Sequence, residues 1–375
     1  MKKALVVFLI LAVAGGLFAQ TVTTSGNVQT GLGVGFTNAE DDKPLIDFVR
    51  NRGEHGMRGD IGLAFRSAAD AAYGAYGANV GVRVRHGLFS GAAPAPLYVE
   101  ANLFWQPSSL LWLQLGSGGG AGWGTQGGID RSQDILDANG LKLRLTPVAG
   151  LSIVGHFFYG GDRITGNAVE NMNYGFGLRY TATGLLTATA NVRYYANRTT
   201  DNKLDAGAGL NFLGLSGVGL TKLALDVATY NLGEENFFIG AGPALTFATG
   251  GLTLGAKYQI FLAMGDALNK DFMPMLVQGE VAYKVSPVVT IGAEVRYLSG
   301  NKPNFNWRNA SEIGGVDSAD SFSRDKALGL GFSPQVTFNV GPTINVGLNL
   351  QQDLSDGATG KTQAILGYAT VAISF

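Results

Sequence analysis

Eight basic residues, Arg58, Arg66, Arg83, Arg85, Lys142, Arg144, Arg179 and Arg193, recur in the same phase of alternating segments and gather in the first half of the chain. The same phase also carries carboxylates, among them Asp60, Glu100, Asp226, Glu280 and Glu294. A stretch from Gly118 to Gly140 then adds Asp130, Arg131, Asp134 and Asp137 after a run of glycines. An acidic segment set opposite a basic wall across water would impose a transverse field on passing ions, the device by which charged linings select. The bland alternative is a solvated, mutually paired set of charges with no selective role.

No other chemistry assembles from the sequence. His55, His86 and His156 lack metal-ligand spacing, and Gly118-Gly119-Gly120-Ala121-Gly122 lacks the Lys-Ser/Thr that completes a phosphate loop. Glu40-Asp41-Asp42, or Asp317 with Asp320, offers carboxylates to a divalent cation, but the calcium-loop pattern is missing and solvated loop charge is the simpler reading. Cysteine is absent, which removes disulfides, thiolate metal or redox sites, and a lipid-modified terminal Cys. We assign no catalytic, cofactor-binding or metal residues, and the expectation is not an enzyme.

These charges need elements that hold them on one face. From Gln20 to Phe375 a single pattern repeats without a domain break: about ten residues of alternation, a connection, then alternation again. Val28-Thr30-Leu32-Val34-Phe36, Leu186-Ala188-Ala190-Val192-Tyr194 and Val289-Ile291-Ala293-Val295-Tyr297 are clear cases. About eighteen such strands are predicted, at about 26–36, 57–66, 78–86, 96–106, 110–117, 141–146, 151–160, 174–181, 185–195, 205–213, 220–230, 237–247, 252–262, 275–284, 288–298, 327–338, 343–352 and 363–375. Connections tend to alternate between tight turns, such as Ala182-Thr183-Gly184 and Ala248-Thr249-Gly250-Gly251, and longer polar stretches. Ser67 to Gly77 falls on the short side yet is not tight. Pro243 and Pro334 fall inside predicted strands, where a ladder bond is lost, and either bulges or other strand boundaries are expected there.

The apolar phase carries no formal charge, whereas Arg or Lys at a bilayer midplane costs roughly 2 to 4 kcal/mol. That phase is therefore expected to face lipid and the charged phase water. Ten residues at about 3.3 Å each, tilted about 45°, span roughly 23 Å, near the thickness of an outer-membrane apolar band. Aromatics at strand ends, including Phe36, Phe65, Trp105, Tyr174, Tyr180, Tyr194 and Tyr283, suit the two interfaces. Closure is required because an open sheet edge fails in lipid. The fold expected is all-β, a transmembrane antiparallel up-and-down barrel of about 18 strands (16–18), wide enough to enclose water. Inner-phase glycines such as Gly33, Gly177, Gly209, Gly240 and Gly331 either widen that lumen or serve strand twist.

Met1-Lys2-Lys3 followed by the apolar stretch Ala4 to Phe18 reads as an export signal, with residues 1–19 removed and 20–375 forming one barrel domain. Without Lys2 and Lys3 the formal charge falls from -1 to about -3, no footprint for nucleic acid. Gly at 56 residues and a charged fraction of 15%, against about 25% in soluble chains, both fit a membrane barrel.

Together the signal, the alternating segments, the turns trimmed on one side and the terminal run Leu366-Gly367-Tyr368-Ala369-Thr370-Val371-Ala372-Ile373-Ser374-Phe375 resemble bacterial outer-membrane porins. The glycine-rich, cysteine-free style and Leu17 before Ala19 resemble spirochaete outer-membrane proteins. The resemblance implies a place in the outer membrane lipid, passive passage of small hydrophilic solutes, and a carboxy-terminal strand read by the barrel assembly machinery. It also implies that the loop at 118–140 enters the lumen as a constriction. A homo-oligomer stays open. A reading of another class is a surface adhesin or structural barrel working through loops such as Ser299 to Lys326.

Overall fold

The computed structural model describes residues 21–37, 45–50, 54–55, 57–67, 74–86, 98–117, 123, 126, 140–159, 172–198, 201–232, 237–264, 275–299, 328–353 and 363–375. The export segment 1–19, the acidic groups at 40–42, 317 and 320, and Asp130, Asp134 and Asp137 lie outside them.

In chain order the strands are β1 (Thr21–Thr37), β2 (Leu45–Arg50), β3 (Glu54–His55), β4 (Met57–Arg66), β5 (Ala75–His86), β6 (Tyr98–Gln106), β7 (Leu111–Gly116), β8 (Gly140–Val148), β9 (Leu151–Tyr159) and β10 (Met172–Ala182). They continue as β11 (Leu186–Arg198), β12 (Asp201–Phe212), β13 (Leu220–Leu232), β14 (Phe237–Thr249), β15 (Leu252–Met264), β16 (Met275–Lys284), β17 (Val289–Ser299), β18 (Leu328–Asn339), β19 (Thr343–Asp353) and β20 (Gln363–Ser374).

Eighteen of these, β1 and β4 to β20, pair antiparallel with their neighbours and close into one barrel. The seam joins Asn27–Thr37 of β1 to Ala364–Ser374 of β20. Beyond it, Phe375 donates its N–H to the Gly26 carbonyl at 3.0 Å and accepts the Gly26 N–H at 2.8 Å. All eighteen predicted segments are found.

The chain distributes its side chains inside out relative to a soluble protein. Ile61 is 50% exposed and Phe176 49%, whereas Lys142 is 0% and Asp226 3% exposed. Water-seeking groups therefore point into the ring and apolar ones out of it, which only a lipid surround rewards. Among the described side chains no charge lies on the outer phase. Trp105, Tyr180 and Tyr283 stand exposed near the trimmed end, and Phe36, Tyr174 and Tyr194 near the other. Phe65 departs from the expected girdle: it is buried with Ala78 and Val80, small side chains that leave space for its ring.

Tight turns at the trimmed end fix the register. Between β14 and β15 only Gly250 and Gly251 intervene, with φ of 53° and 88°. Two successive positive φ values make the hairpin turn whose twist matches the strands, and glycine adopts them without strain.

Further expectations are corrected. Neither Pro243 nor Pro334 causes a bulge: the pairs Ala241↔Ile260 and Ala244↔Lys257, and likewise Phe332↔Leu350 and Gln335↔Gly347, keep one register across each proline. Flanking ladder bonds hold the strand, so losing one donor does not shift it. Register irregularities lie instead at Leu145/Val148, Tyr195/Arg198, Leu204/Ala206 and Leu220/Lys222.

The first long connection also contains structure. Leu45–Phe48 of β2 pairs with Leu32–Gly35 of β1, above the stretch where Arg58–Arg66 of β4 pairs with Thr21–Gln29. One neighbour of β1 is thus built from two pieces, with a small β2–β3 pairing between them.

At two inner-phase glycines neighbouring groups take the space of the missing side chain. A Cβ at Gly240 would stand 2.7 Å from the Phe261 ring, and one at Gly209 would meet Gln126 Cγ at 2.9 Å. Gly81 on β5 differs, with nothing closer than Glu100 at 3.9 Å.

Candidate functional site: the lined lumen

The connection between β7 and β8 reaches the wall that β9 to β13 form. Asn191 on β11 donates its Nδ2 to the Trp123 carbonyl at 3.0 Å, and the Trp123 side chain is buried against Val154 of β9. Three residues on, the Gln126 N–H donates to Asp226 Oδ1 of β13 at 2.6 Å, and Gln126 Nε2 donates to Thr189 Oγ1 of β11 at 3.1 Å. Thr189 in turn donates to the Gly209 carbonyl of β12 at 3.3 Å. Val154, Thr189, Asn191 and Asp226 all belong to the inner phase of their strands. Residues 123 and 126 therefore lie inside the ring, seated on the wall from β9 to β13.

The seat has a physical logic. An Asp on the inner phase presents a carboxylate that a backbone N–H satisfies, and charge-assisted bonds of this kind are short and strong. Gly209 beside it removes the Cβ that would collide with Gln126. Sequence reasoning placed Asp226 on the inner phase but did not pair it with anything. The available signal was a Trp inside a glycine-rich connection, a large apolar group in a segment with no strand to carry it.

The basic residues of the first half do share the inner face. Arg58 Nε contacts Asp60 at 2.5 Å, Arg83 Nε contacts the same carboxylate at 2.8 Å, and Arg83 approaches Glu100 at 4.0 Å. Arg193 lies 3.7 Å from Asp205. Arg66 takes a different partner set: its guanidinium donates to Asn79 Oδ1 at 2.7 Å and to the Ala78 carbonyl at 3.3 Å, and stacks 4.5 Å above the Phe104 ring. Arg144 sits 4.9 Å over Trp112. Arg179 occupies the inner phase of β10, near the trimmed end like Arg66 and Arg144. Arg85 lies in β5, and its side chain is outside what the structure describes.

Two electrical zones result. Around Asp60 the charges cancel, while Arg66, Arg144 and Arg179 take part in none of the ion pairs among the described residues. Across the lumen, Arg296 pairs with Glu294 on β17, and Gln278 donates to that carboxylate at 3.1 Å.

The inner face is also less polar than alternation predicted. Phe158, Phe261, Leu276 and Leu366 are buried on it, toward the end away from the tight turns. His156 lies there too, its ring stacked on Phe158 with centroids 4.7 Å apart.

No protein-family pattern matches the chain, and no curated protein does. Solved structures do. The chain is similar to Pseudomonas aeruginosa OpdO, with a TM-score of 0.60 at 13% identity over 96% of this chain and 98% of that one. It is similar also to OpdQ of the same organism (TM-score 0.58, 11% identity, 95% and 99% covered) and to OprD (0.54, 12%, 95% and 97%). At such identity the likeness defines the fold alone: a closed antiparallel β-barrel of eighteen strands, as in those porins.

Proposed function

We propose that the protein is a channel of the bacterial outer membrane through which small hydrophilic solutes diffuse passively, and that it is not an enzyme. The observation that carries this reading is the inversion of the side chains, with charged and amide groups lining an eighteen-stranded ring and apolar groups clothing it. A ring of this size leaves room for water. Trp123 and Gln126, held inside it, narrow the passage. Arg66, Arg144 and Arg179, on β4, β8 and β10 and in none of the described ion pairs, bias the ions that pass.

Residues 1–19 supply export, and the terminal strand ending in Phe375 supplies the signal for the barrel assembly machinery. Swelling of liposomes that contain the refolded protein tests the proposal. Monosaccharides are expected to enter and swell them, more slowly as solute size rises. Vesicles that hold folded barrel yet behave like protein-free vesicles would contradict it.

A further inference from the structure

The inner wall where β1, β4, β5 and β6 meet carries a recess of about 380 Å³. Its floor and rim come from two adjacent cross-strand rows. In one, Ser25 stands opposite Gly62, Gly62 opposite Gly81, and Gly81 opposite Glu100; in the other, Asn27 faces Asp60 and Asp60 faces Arg83. At Gly62 the Ser25 hydroxyl lies 2.8 Å from where a Cβ would stand, whereas Gly81 leaves the backbone open to a ligand. A Cβ on Gly81 would meet nothing closer than Glu100 at 3.9 Å, so the space above it is open.

We propose that this recess is a binding subsite for a neutral polyhydroxylated solute, a sugar ring, on the route through the barrel. The proposal rests on the channel reading for its biological use. The charges decide the ligand class. Arg58 and Arg83 share Asp60, and Arg83 also approaches Glu100, so two guanidinium groups are balanced by two carboxylates. An anion would have to draw Arg83 from Asp60 and a cation would compete with the arginines, whereas hydroxyl groups need neither. Each hydroxyl donates to a carboxylate and accepts from an amide or guanidinium, and the rim offers both kinds within one recess. Glu100 is 52% exposed to the lumen, the acceptor most available to a donor entering from solution. The volume falls within the range of small-molecule pockets.

Isothermal titration of the refolded full-length protein with D-glucose tests this, its folded state checked by the shift in gel mobility on boiling. The expected result is saturable binding that Glu100→Gln weakens roughly tenfold, as for loss of one hydrogen bond to a charged group. Gly81→Val, which fills the recess at a strand position with ordinary backbone, abolishes it, and L-alanine, a zwitterion of smaller size, gives no saturable heat. Undiminished glucose binding to folded Gly81→Val overturns the assignment, as does tighter binding of L-alanine. Conductance without glucose binding would remove the subsite and leave the channel; glucose binding without conductance would do the reverse.

Discussion

Asp226 holds the connection after β7 through a charge-assisted bond to the Gln126 N–H, with Gln126 Nε2 on Thr189 as another anchor. A hydrogen bond to a charged group is worth about 2 kcal/mol, enough to shift an attached segment well over tenfold toward release. Asp226→Ala is therefore expected to give a larger and noisier single-channel current, and an unchanged current would contradict the tether. Charge predicts a second contrast. Neutralising Arg66, Arg144 and Arg179 together to Gln should lower the anion-to-cation permeability ratio, measured as a reversal potential across a salt gradient. Neutralising Arg83, already matched by Asp60 and Glu100, should change it less. Reading the sequence located these arginines on one face, since alternation fixes the phase of every strand residue. It could not sort paired from unpaired members, because pairing depends on which strands become neighbours: Asp60 and Arg83 meet only when β4 and β5 align in one register.

Strands were the most legible element. A lipid-facing phase tolerates no charge, so the period of two persists wherever a strand crosses, and the segments predicted at 57–66 and 275–284 coincide with β4 and β16. What escaped notice is short or long-range. β2 and β3 are too brief to show a period, and their partners are chosen by the free edge that β1 leaves above Gln29. The prolines misled for a related reason: a missing donor is a local property, while register belongs to the whole hairpin. Closure is the long-range case, since β1 and β20 lie at opposite ends of the chain. The last contacts of that seam are the paired bonds between Gly26 and Phe375 and the Asn27 Nδ2 bond to Ser374 Oγ at 2.9 Å. Deleting Ser374 and Phe375 removes them, and at about 1 kcal/mol per bond the barrel should lose roughly 2 to 3 kcal/mol in urea unfolding from detergent micelles. An unchanged midpoint would mean that the terminal residues do not hold the seam.

As a whole molecule, the protein is a ring whose exterior suits hydrocarbon and whose interior suits water, with residues 123 and 126 of its own chain held inside and charge that is cancelled in one zone and left open in another. The class of fold followed from composition and period alone. The seat of residues 123 and 126 did not, because Trp123 and Gln126 find their partners on strands far along the sequence; the resemblance to porins alone pointed to this connection. Recording single refolded molecules in a planar lipid bilayer tests the central claim most directly. Discrete current steps that grow with salt concentration and persist at low voltage are the predicted result. A barrel shown to be folded by its gel mobility, inserted, and silent to ions at every voltage would contradict the account.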